Sequence, residues 1–362
     1  MKKTAIIYCE KNFGEMDGKT ANGLIRNSEI YQILGVIDST KTGWDAGELI
    51  NKQENGIPVF KNLDEALTKL PVKPEEFIFG LAPADAVLRK EERNILKQAM
   101  EKGMNIVNPL QEFLTEDEDC MAHANKFGVT IKDVRKYPKQ NELHIFSGEI
   151  LKITPPRIAI LGTDSAVGKR TTAMIIVEKL KEIGINAVFI GTGQTGLIQG
   201  AKYAIAIDAL PLQFAIGELE NQIIKANNEE KPDLFLIEGQ GALSHPAYVS
   251  STGILKGSKP NAVIVQHPPK REFLGDFPFI KMPTIKSEID LIELFGSTKV
   301  IAVTLNHENM SKEELEEEIT RAELDLQLPV TDILTFGSDK IINKILTTFP
   351  ALQEKSKQSA LN

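Results

Sequence analysis

Short apolar runs alternate with amphipathic stretches over most of the chain. In the first half, apolar and β-branched residues fill positions 4–9, 33–37, 77–81 and 104–107. The stretch 89–102 has apolar residues at helical spacing and stops at a glycine. Strands that alternate with helices are typical of a parallel sheet covered on both faces. The pattern therefore predicts an α/β domain with a Rossmann-like layout in the first half.

The second half repeats this rhythm. Apolar runs recur at residues 157–161, 187–190, 234–237, 263–266 and 300–304. Between the halves, a short predicted strand at 143–146 and the sequence Thr-Pro-Pro at 154–156 form a stiff junction. We expect a Rossmann-like N-terminal domain at residues 1–152, a second parallel-sheet domain at 153–350 and a polar tail at 351–362.

Composition and charge narrow the class of partner. The formal net charge of −8 argues against nucleic acid and against an anionic membrane surface. No window approaches the roughly 18 apolar residues of a membrane span. Cys9 and Cys120 are far apart in the sequence, which favours free thiols in a reducing cytosol. We expect a cytoplasmic homo-oligomer that binds small molecules.

One strand leads into a phosphate-binding loop. The run at 157–161 is followed by GTDSAVGKRTT, which contains the GxxxxGK pattern and opens a helix. Glycines let several backbone N–H groups point into one concavity, the lysine adds a point charge, and the helix dipole reinforces both. The second domain is therefore predicted to be P-loop NTPase-like. The residues expected to bind the cofactor are Gly162, Thr163, Asp164, Ser165, Ala166, Val167, Gly168, Lys169, Arg170 and Thr171.

The residue after the loop lysine departs from the pattern of a magnesium–nucleotide site. Such a site has Ser or Thr there, and its hydroxyl ligates the metal. Here the residue is Arg170, and Thr171 is one helical step later, rotated by roughly 100°. The planar fork of an arginine binds phosphate oxygens directly. We therefore expect no metal, and the diphosphate of a bound cofactor in preference to a γ-phosphate that is transferred.

The first strand of the chain leads into a loop of a different kind. Residues 10–19 join this strand to the first helix but lack the GxGxxG fingerprint of dinucleotide-binding folds. An NAD-dependent dehydrogenase is accordingly the weakest of the enzyme classes considered.

Polar and ionisable residues follow several strands of the second domain. The candidate catalytic residues are Glu238 and His245, and the candidate substrate-binding residues are Thr192, Gln194, Thr195, Gln240, His267, Lys270 and Arg271. Because the carboxyl ends of parallel strands share one edge of a sheet, we expect these residues to converge on one cleft. Glu238 could bind a metal, accept a proton or hydrogen-bond the phosphate loop. His245 and His267 each precede a proline, so each either serves the chemistry or only supports its turn.

Several longer motifs point to one family. The segments GTDSAVGKRTT, IDALPLQFAIGELE and EGQGALSHPAY, with GKTANGLIR and VIDS followed by DAGEL in the first half, resemble the DgcN family. The resemblance spans nearly the whole chain. It implies a Rossmann-like domain followed by a P-loop domain similar to dethiobiotin synthetase. It also implies N-acetylation of D-glutamate with acetyl-CoA, in D-amino-acid catabolism.

Coenzyme A carries a diphosphate, so a loop with Lys169 and Arg170 is a reasonable binding site for it. Acetyl transfer to an amino acid then needs a base, for which Glu238 or His245 is the candidate, and Lys270 or Arg271 could hold a carboxylate. The alternatives are an ATP- and magnesium-dependent ligase or kinase, as the likeness to dethiobiotin synthetase suggests, and a non-catalytic sensor of a nucleotide or metabolite.

Overall fold

The computed structural model describes residues 2–83 and 87–359, and the chain divides into two compact units. The first unit comprises Met1–Pro138 and the segment Gln194–Lys202, and the second comprises Lys139–Gly193 and Tyr203–Asn362. Each unit is built on a parallel sheet with helices, so the predicted α/β class is confirmed. Within the described residues, none of the helices has the length and apolar character that crossing a membrane requires.

The sheet of the first unit has the strand order of a Rossmann fold, β3-β2-β1-β4-β5-β6, with each neighbouring pair parallel. The strands are β1 (Lys3–Tyr8), β2 (Tyr31–Ile37), β3 (Val59–Phe60), β4 (Glu76–Phe79), β5 (Asn105–Asn108) and β6 (Ile131–Asp133). The helices are α1 (Lys19–Arg26), α2 (Ala46–Asn51), α3 (Leu63–Lys69), α4 (Lys90–Glu101) and α5 (Glu118–Phe127), with 3₁₀ turns at Ser39–Lys41 and Leu114–Glu116.

The ends of α5 show how local sequence sets these elements. The side chain of Asp117 accepts a hydrogen bond from the backbone N–H of Cys120, which caps the start of the helix. Gly128 ends the helix with a φ of 67°, a conformation that glycine adopts without strain. Glu118 and Asp119 in the first turn complement the helix dipole.

The sheet of the second unit has the order β14-β13-β10-β7-β9-β8, with each neighbouring pair parallel. The strands are β7 (Arg157–Gly162), β8 (Ala187–Ile190), β9 (Leu234–Glu238), β10 (Ala262–His267), β11 (Phe273–Leu274), β12 (Phe277–Lys281), β13 (Val300–Leu305) and β14 (Val330–Thr331), of which β11 and β12 form a separate antiparallel hairpin. The helices are α6 (Lys169–Glu182), α7 (Gln194–Gln199), α8 (Leu212–Glu230), α9 (Ser250–Ser258), α10 (Ile285–Gly296), α11 (Lys312–Leu326), α12 (Asp339–Thr348) and α13 (Pro350–Ser359), with 3₁₀ turns at Gln140–Glu142 and Glu149–Lys152.

Alternate residues of β7 pack into different layers of the core. Ile158 and Ile160 join the apolar cluster on one face of the sheet, whereas Ala159 and Leu161 join the cluster on the other. All four side chains are buried. A strand covered on both faces reads as a continuous apolar run, which is why the sequence locates it so clearly.

The strand predicted at 143–146 is wrong. The backbone N–H of His144 donates to the carboxylate of Glu218, and that of Ser147 donates to Glu220, so side chains of α8 take the place of a neighbouring strand. The segment predicted as a polar tail, 351–362, is largely helical, because Pro350–Ser359 is a helix. Leu352 of this helix is buried, while residues 360–362 lie outside the described residues.

The glycine-rich stretch 191–196, which follows β8, contains the start of α7. This short helix is part of the first unit, although it follows β8 of the second unit in sequence. Gln199 Nε2 donates to the backbone carbonyls of Gly23 and Asn27, the latter at 2.8 Å. The N–H of Glu29 donates to the carbonyl of Gln199 at 2.8 Å. Hydrogen bonds with the end of α1 and the residues that follow it thus hold Gln199.

Candidate functional site

The phosphate-binding loop predicted from the sequence joins β7 to α6. β7 ends at Gly162 and α6 begins at Lys169, so the loop lies at the carboxyl end of a central strand. Gly168 has a φ of 105°, in the left-handed region that favours glycine. A Cβ at position 162 would lie 2.7 Å from the carbonyl oxygen of Gln266, so only glycine fits there. The loop thus leads into the N-terminal end of a helix, where backbone N–H groups and the positive end of the helix dipole suit an anion.

A buried carboxylate within the loop is paired with an arginine. Asp164 is fully buried, and its Oδ2 accepts hydrogen bonds from Arg271 Nη1 at 2.8 Å and from the N–H of Gly275 at 2.9 Å. Arg271 also donates to both carboxylate oxygens of Glu308, through Nε and Nη2, at 2.8 Å each. Lys169 Nζ donates to the backbone carbonyl of Asp164. The loop is therefore held together by a network of paired charges.

Glu238 lies at the end of β9, next to the loop. Its Oε2 is 3.8 Å from Arg170 Nη1 and accepts a hydrogen bond from the N–H of Thr192 at 2.8 Å. The hydroxyl of Thr192 donates to the backbone carbonyl of Glu238 at 2.9 Å, and Gln240 Nε2 donates to that hydroxyl oxygen at 3.0 Å. The structure thus brings four of the predicted residues, Arg170, Thr192, Glu238 and Gln240, into one cluster.

His245 lies close to Asp164 of the phosphate loop. Its ring stacks on Tyr248 with the centroids 4.2 Å apart, and its side chain has no exposed area. Burial lowers the pKa of the imidazole, although Asp164 opposes the effect, so the ring is neutral at pH 7. Nδ1 accepts a hydrogen bond from the N–H of Ala247 at 3.3 Å, which leaves the ring proton on Nε2. Nε2 is 3.9 Å from Asp164 Oδ1 and has no hydrogen-bond partner among the described residues.

His267 is the second predicted histidine, and it lies beside the start of the loop. Its Nδ1 is 2.8 Å from the hydroxyl oxygen of Thr163. Burial lowers the pKa of His267 to about 4, and the positive charges of Arg271 and Arg321 add to the effect. A ring with this pKa stays neutral at physiological pH and hydrogen-bonds the loop without contributing charge.

The sequence matches two known domains that agree with this architecture. Residues 144–342 match DUF1611_C, a domain of unknown function described as a P-loop domain, and residues 39–137 match DUF1611_N, described as Rossmann-like. The chain belongs to the DUF1611 family. The family resemblance predicted from the sequence motifs is therefore confirmed.

Relatives of this DUF1611 protein include two curated enzymes and a solved structure. A D-glutamate N-acetyltransferase from Pseudoalteromonas sp is 31% identical over 272 residues, which cover 74% of this chain and 80% of the relative. A protein of the same name from Tritonibacter scottomollicae is 27% identical over 274 residues, with the same coverage of 74% and 80%. A crystal structure of a DUF1611 family protein from Anabaena variabilis has a TM-score of 0.87 and 28% identity, and the match covers 96% of this chain and 100% of that one.

The remaining predicted residues of this DUF1611 protein lie elsewhere or already have partners. Lys270 is exposed and pairs with Glu314 at 2.8 Å. Arg271 is close to the loop, but its guanidinium already binds two protein carboxylates. Gln194 and Thr195 begin α7, in the first unit. A role for these four residues in substrate binding stays a prediction.

Sequence reasoning missed the hairpin formed by β11 and β12. Asp276, in its turn, accepts hydrogen bonds at Oδ2 from the hydroxyls of Ser165 at 3.0 Å and Tyr248 at 2.7 Å. The hairpin is thereby tied both to the phosphate loop and to the residue that stacks on His245. The Gly-Asp pair between short aromatic runs is a hairpin signal that could have revealed it.

A second carboxylate that sequence reasoning missed holds the segment leading to His245. Glu288 of α10 is fully buried and accepts hydrogen bonds from the N–H groups of Leu243 and Ser244 and from the hydroxyl of Ser244. Burial raises the pKa of Glu288, although these hydrogen bonds oppose the shift. Across residues 2–83 and 87–359, no group of three or more His, Cys, Asp or Glu side chains is arranged to hold a metal ion.

Proposed function

We propose that this protein is an N-acetyltransferase that moves the acetyl group of acetyl-CoA to the amine of an acidic amino acid, D-glutamate. The strongest support is the name D-glutamate N-acetyltransferase that two relatives share, at 31% and 27% identity over 74% of this chain. The match must include residues of both domains of the family, because 74% of the chain is longer than either domain alone.

The phosphate loop suits the diphosphate of coenzyme A. Backbone N–H groups at the start of α6, together with Lys169 and Arg170, would supply hydrogen-bond donors and positive charge to phosphate oxygens. Arg170 stands where a magnesium–nucleotide site has a hydroxyl ligand. This substitution supports the binding of a diphosphate that is not itself cleaved.

The reaction needs one proton acceptor and one hydrogen-bond donor. The amine nitrogen forms a bond to the thioester carbon, the carbon–sulfur bond breaks, one amine proton leaves and the thiolate is released or protonated. We assign the proton acceptor to Glu238, whose contacts with Thr192 and Arg170 are both made by Oε2, leaving Oε1 for the amine. The hydrogen-bond donor to the carbonyl oxygen of the acetyl group is assigned to backbone N–H groups of the glycine-rich loops, because the side chain of His245 has no exposed area.

An acetyl-transfer assay tests this function. Purified protein is mixed with acetyl-CoA and D-glutamate, L-glutamate or D-aspartate, the released thiol is followed, and the product is identified by mass spectrometry. We expect acetylation of D-glutamate and a loss of about 10²-fold or more in turnover for Glu238→Gln, which keeps the shape of the side chain.

Two results would contradict the proposal. One is ATP consumption in the presence of magnesium without any acetyl transfer, which would favour the ligase or kinase class. The other is tight ligand binding with no product from any acceptor, which would favour a sensor. If D-glutamate is acetylated equally fast by Glu238→Gln, the enzyme class stands and the assignment of the base is wrong.

A further inference from the structure

P-loop nucleotide sites hold Mg²⁺ between two protein groups. One is the Ser or Thr after the loop lysine, and the other is an acidic residue at the end of a nearby strand. In this chain the first position is Arg170, which follows Lys169 in α6. The second is Glu238 at the end of β9, which pairs directly with β7. The P-loop fold therefore implies a metal position flanked by these two side chains.

These two residues do not fit a magnesium ion. Mg²⁺ requires oxygen ligands in a near-octahedral arrangement, and a guanidinium offers only donors and a positive charge. Thr171 is a helical step of roughly 100° away from the position of Arg170. The helix position that supplies the metal-ligating hydroxyl in other P-loop sites is therefore occupied by a guanidinium here.

The guanidinium of Arg170 instead lies beside Glu238. Arg170 Nη1 is 3.8 Å from Glu238 Oε2, and the two side chains are 17% and 8% exposed. The guanidinium carbon is 5.0 Å from the ring centroid of Phe189, a cation–π contact. The N–H of Thr192 fixes Glu238 at 2.8 Å from the other side. Both members of the pair are thus positioned by neighbours on β8 and the segment that follows it.

We propose that the guanidinium of Arg170 takes the place of the divalent cation, so that the loop binds a diphosphate ester without Mg²⁺. Glu238, the acidic partner of the metal in other P-loop sites, here orients the arginine. The identification of that ester as coenzyme A rests on the proposed function, whereas the independence from Mg²⁺ rests on the Arg170–Glu238 geometry.

Isothermal titration with CoA and, separately, with ADP tests the proposal, in EDTA and in MgCl₂. For the wild-type protein we expect at least one of the two probes to bind, with dissociation constants that agree within about twofold in the two buffers. In Arg170→Thr, affinity in EDTA should fall about tenfold or more, because charge-assisted hydrogen bonds to phosphate are lost. In this variant MgCl₂ should restore part of the lost affinity, because the threonine supplies a hydroxyl next to Glu238 that can ligate Mg²⁺.

Two further variants serve as controls. Lys179→Thr removes one positive charge from the exposed end of the same helix, where Lys179 pairs with Glu182 at 3.0 Å, and it should bind like the wild type in both buffers. Arg170→Lys keeps the charge and should bind more weakly, without any response to Mg²⁺.

The outcomes separate this proposal from the proposed function. CoA binding that requires Mg²⁺ in the wild type overturns the role of Arg170 and leaves the acetyltransferase standing. Magnesium-independent binding of ADP with no binding of CoA supports the role of Arg170 and contradicts the acetyltransferase. Binding of neither probe in either buffer overturns the proposal. The wild-type comparison is decisive even if Arg170→Thr fails to fold.

Discussion

The charged side chains around the phosphate loop form ion pairs with residues that are distant in the sequence. Asp164 is paired with Arg271 at 2.8 Å, and Arg271 continues to Glu308. Glu238 faces Arg170 at 3.8 Å. A buried charge that loses its partner is strongly destabilising, so the members of these pairs constrain one another. The two histidines nearby are kept neutral by burial and can form hydrogen bonds without disturbing the balance.

His267 should make the free energy of unfolding depend on pH. Its pKa is about 4 in the folded protein, whereas an unfolded histidine titrates near pH 6.5. Between these values the unfolded chain binds the additional proton. The stability associated with neutral His267 is therefore complete above about pH 6.5 and is lost as the pH falls towards 4. From this group alone we expect a loss of about 2 kcal/mol between pH 7 and pH 5.

Urea unfolding of the wild type and of His267→Gln, at about pH 7 and about pH 5, measures this effect. Other groups that titrate in the same range contribute to both proteins, so the difference between the two pH dependences isolates His267. The variant should lose about 2 kcal/mol less stability on acidification than the wild type. Equal pH dependences would show that the ring already titrates normally in the folded protein.

The sequence locates residues whose position follows from a local motif. Lys169 and Arg170 come from the GxxxxGK pattern, and Glu238 comes from the end of an apolar run. It could not show that Arg271 binds Asp164, because these residues are separated by 107 positions and meet only when β10 pairs with β7. For the same reason the sequence predicts that Arg271 binds substrate, whereas in the structure its guanidinium binds the carboxylates of Asp164 and Glu308.

At the scale of elements, the buried strands could be predicted and the irregular connections could not. The runs at 157–161 and 234–237 became β7 and β9 almost unchanged, because a strand covered on both faces must be apolar throughout. The segment 143–146 is also apolar in part, yet the N–H of His144, and that of Ser147 just after the segment, donate to carboxylates of α8 more than 70 positions away. Local pattern carries no information about such distant acceptors.

The β11–β12 hairpin depends on ties to other elements. A two-stranded hairpin is marginally stable by itself in water, so its contacts with the rest of the unit matter. Asp276 makes two of these contacts through one oxygen, with Ser165 and Tyr248. We expect Asp276→Ala to lower the free energy of unfolding by about 1–3 kcal/mol, because hydrogen bonds to a charged acceptor are lost. Backbone amides at 273–281 should exchange faster with deuterium.

Glu272→Ala is the matched control for this change. Glu272 is an exposed carboxylate in the same segment, and its loss should alter stability by less than about 0.5 kcal/mol. Both variants are compared by urea unfolding and by hydrogen exchange of the hairpin. If Asp276→Ala exchanges as slowly as Glu272→Ala, the hairpin is held by its other contacts and not by Asp276.

At the scale of the whole molecule, both units have a six-stranded parallel sheet, but the glycine-rich phosphate loop follows a strand of the second unit alone among the strands described here. The first unit has the Rossmann strand order, but Asp38 at the end of β2 is fully buried. Its carboxylate accepts hydrogen bonds from the N–H groups of Phe13 at 3.0 Å and Thr40 at 2.9 Å. An acidic residue in this region of a dinucleotide-binding fold would bind a ribose hydroxyl. Here the carboxylate of Asp38 instead accepts a hydrogen bond from Phe13 in the loop after β1, which is also the loop that lacks the GxGxxG fingerprint.

A bound ligand should therefore slow hydrogen exchange in the second unit, and not in the loops after β1 and β2 of the first unit, where a Rossmann fold binds its dinucleotide. Each unit has its own apolar core, and a ligand that binds only the folded state stabilises by about 2.7 kcal/mol at a concentration of 100 times its dissociation constant. We expect CoA to slow hydrogen exchange at residues 162–171 and to leave residues 4–14 and 31–40 unchanged. NAD should change neither region.

Lys169→Ala, which removes the lysine of the phosphate loop, should abolish the protection by CoA. Protection of residues 10–14 or 38–40 by NAD would instead show that the first unit retains a dinucleotide site despite the engagement of Asp38.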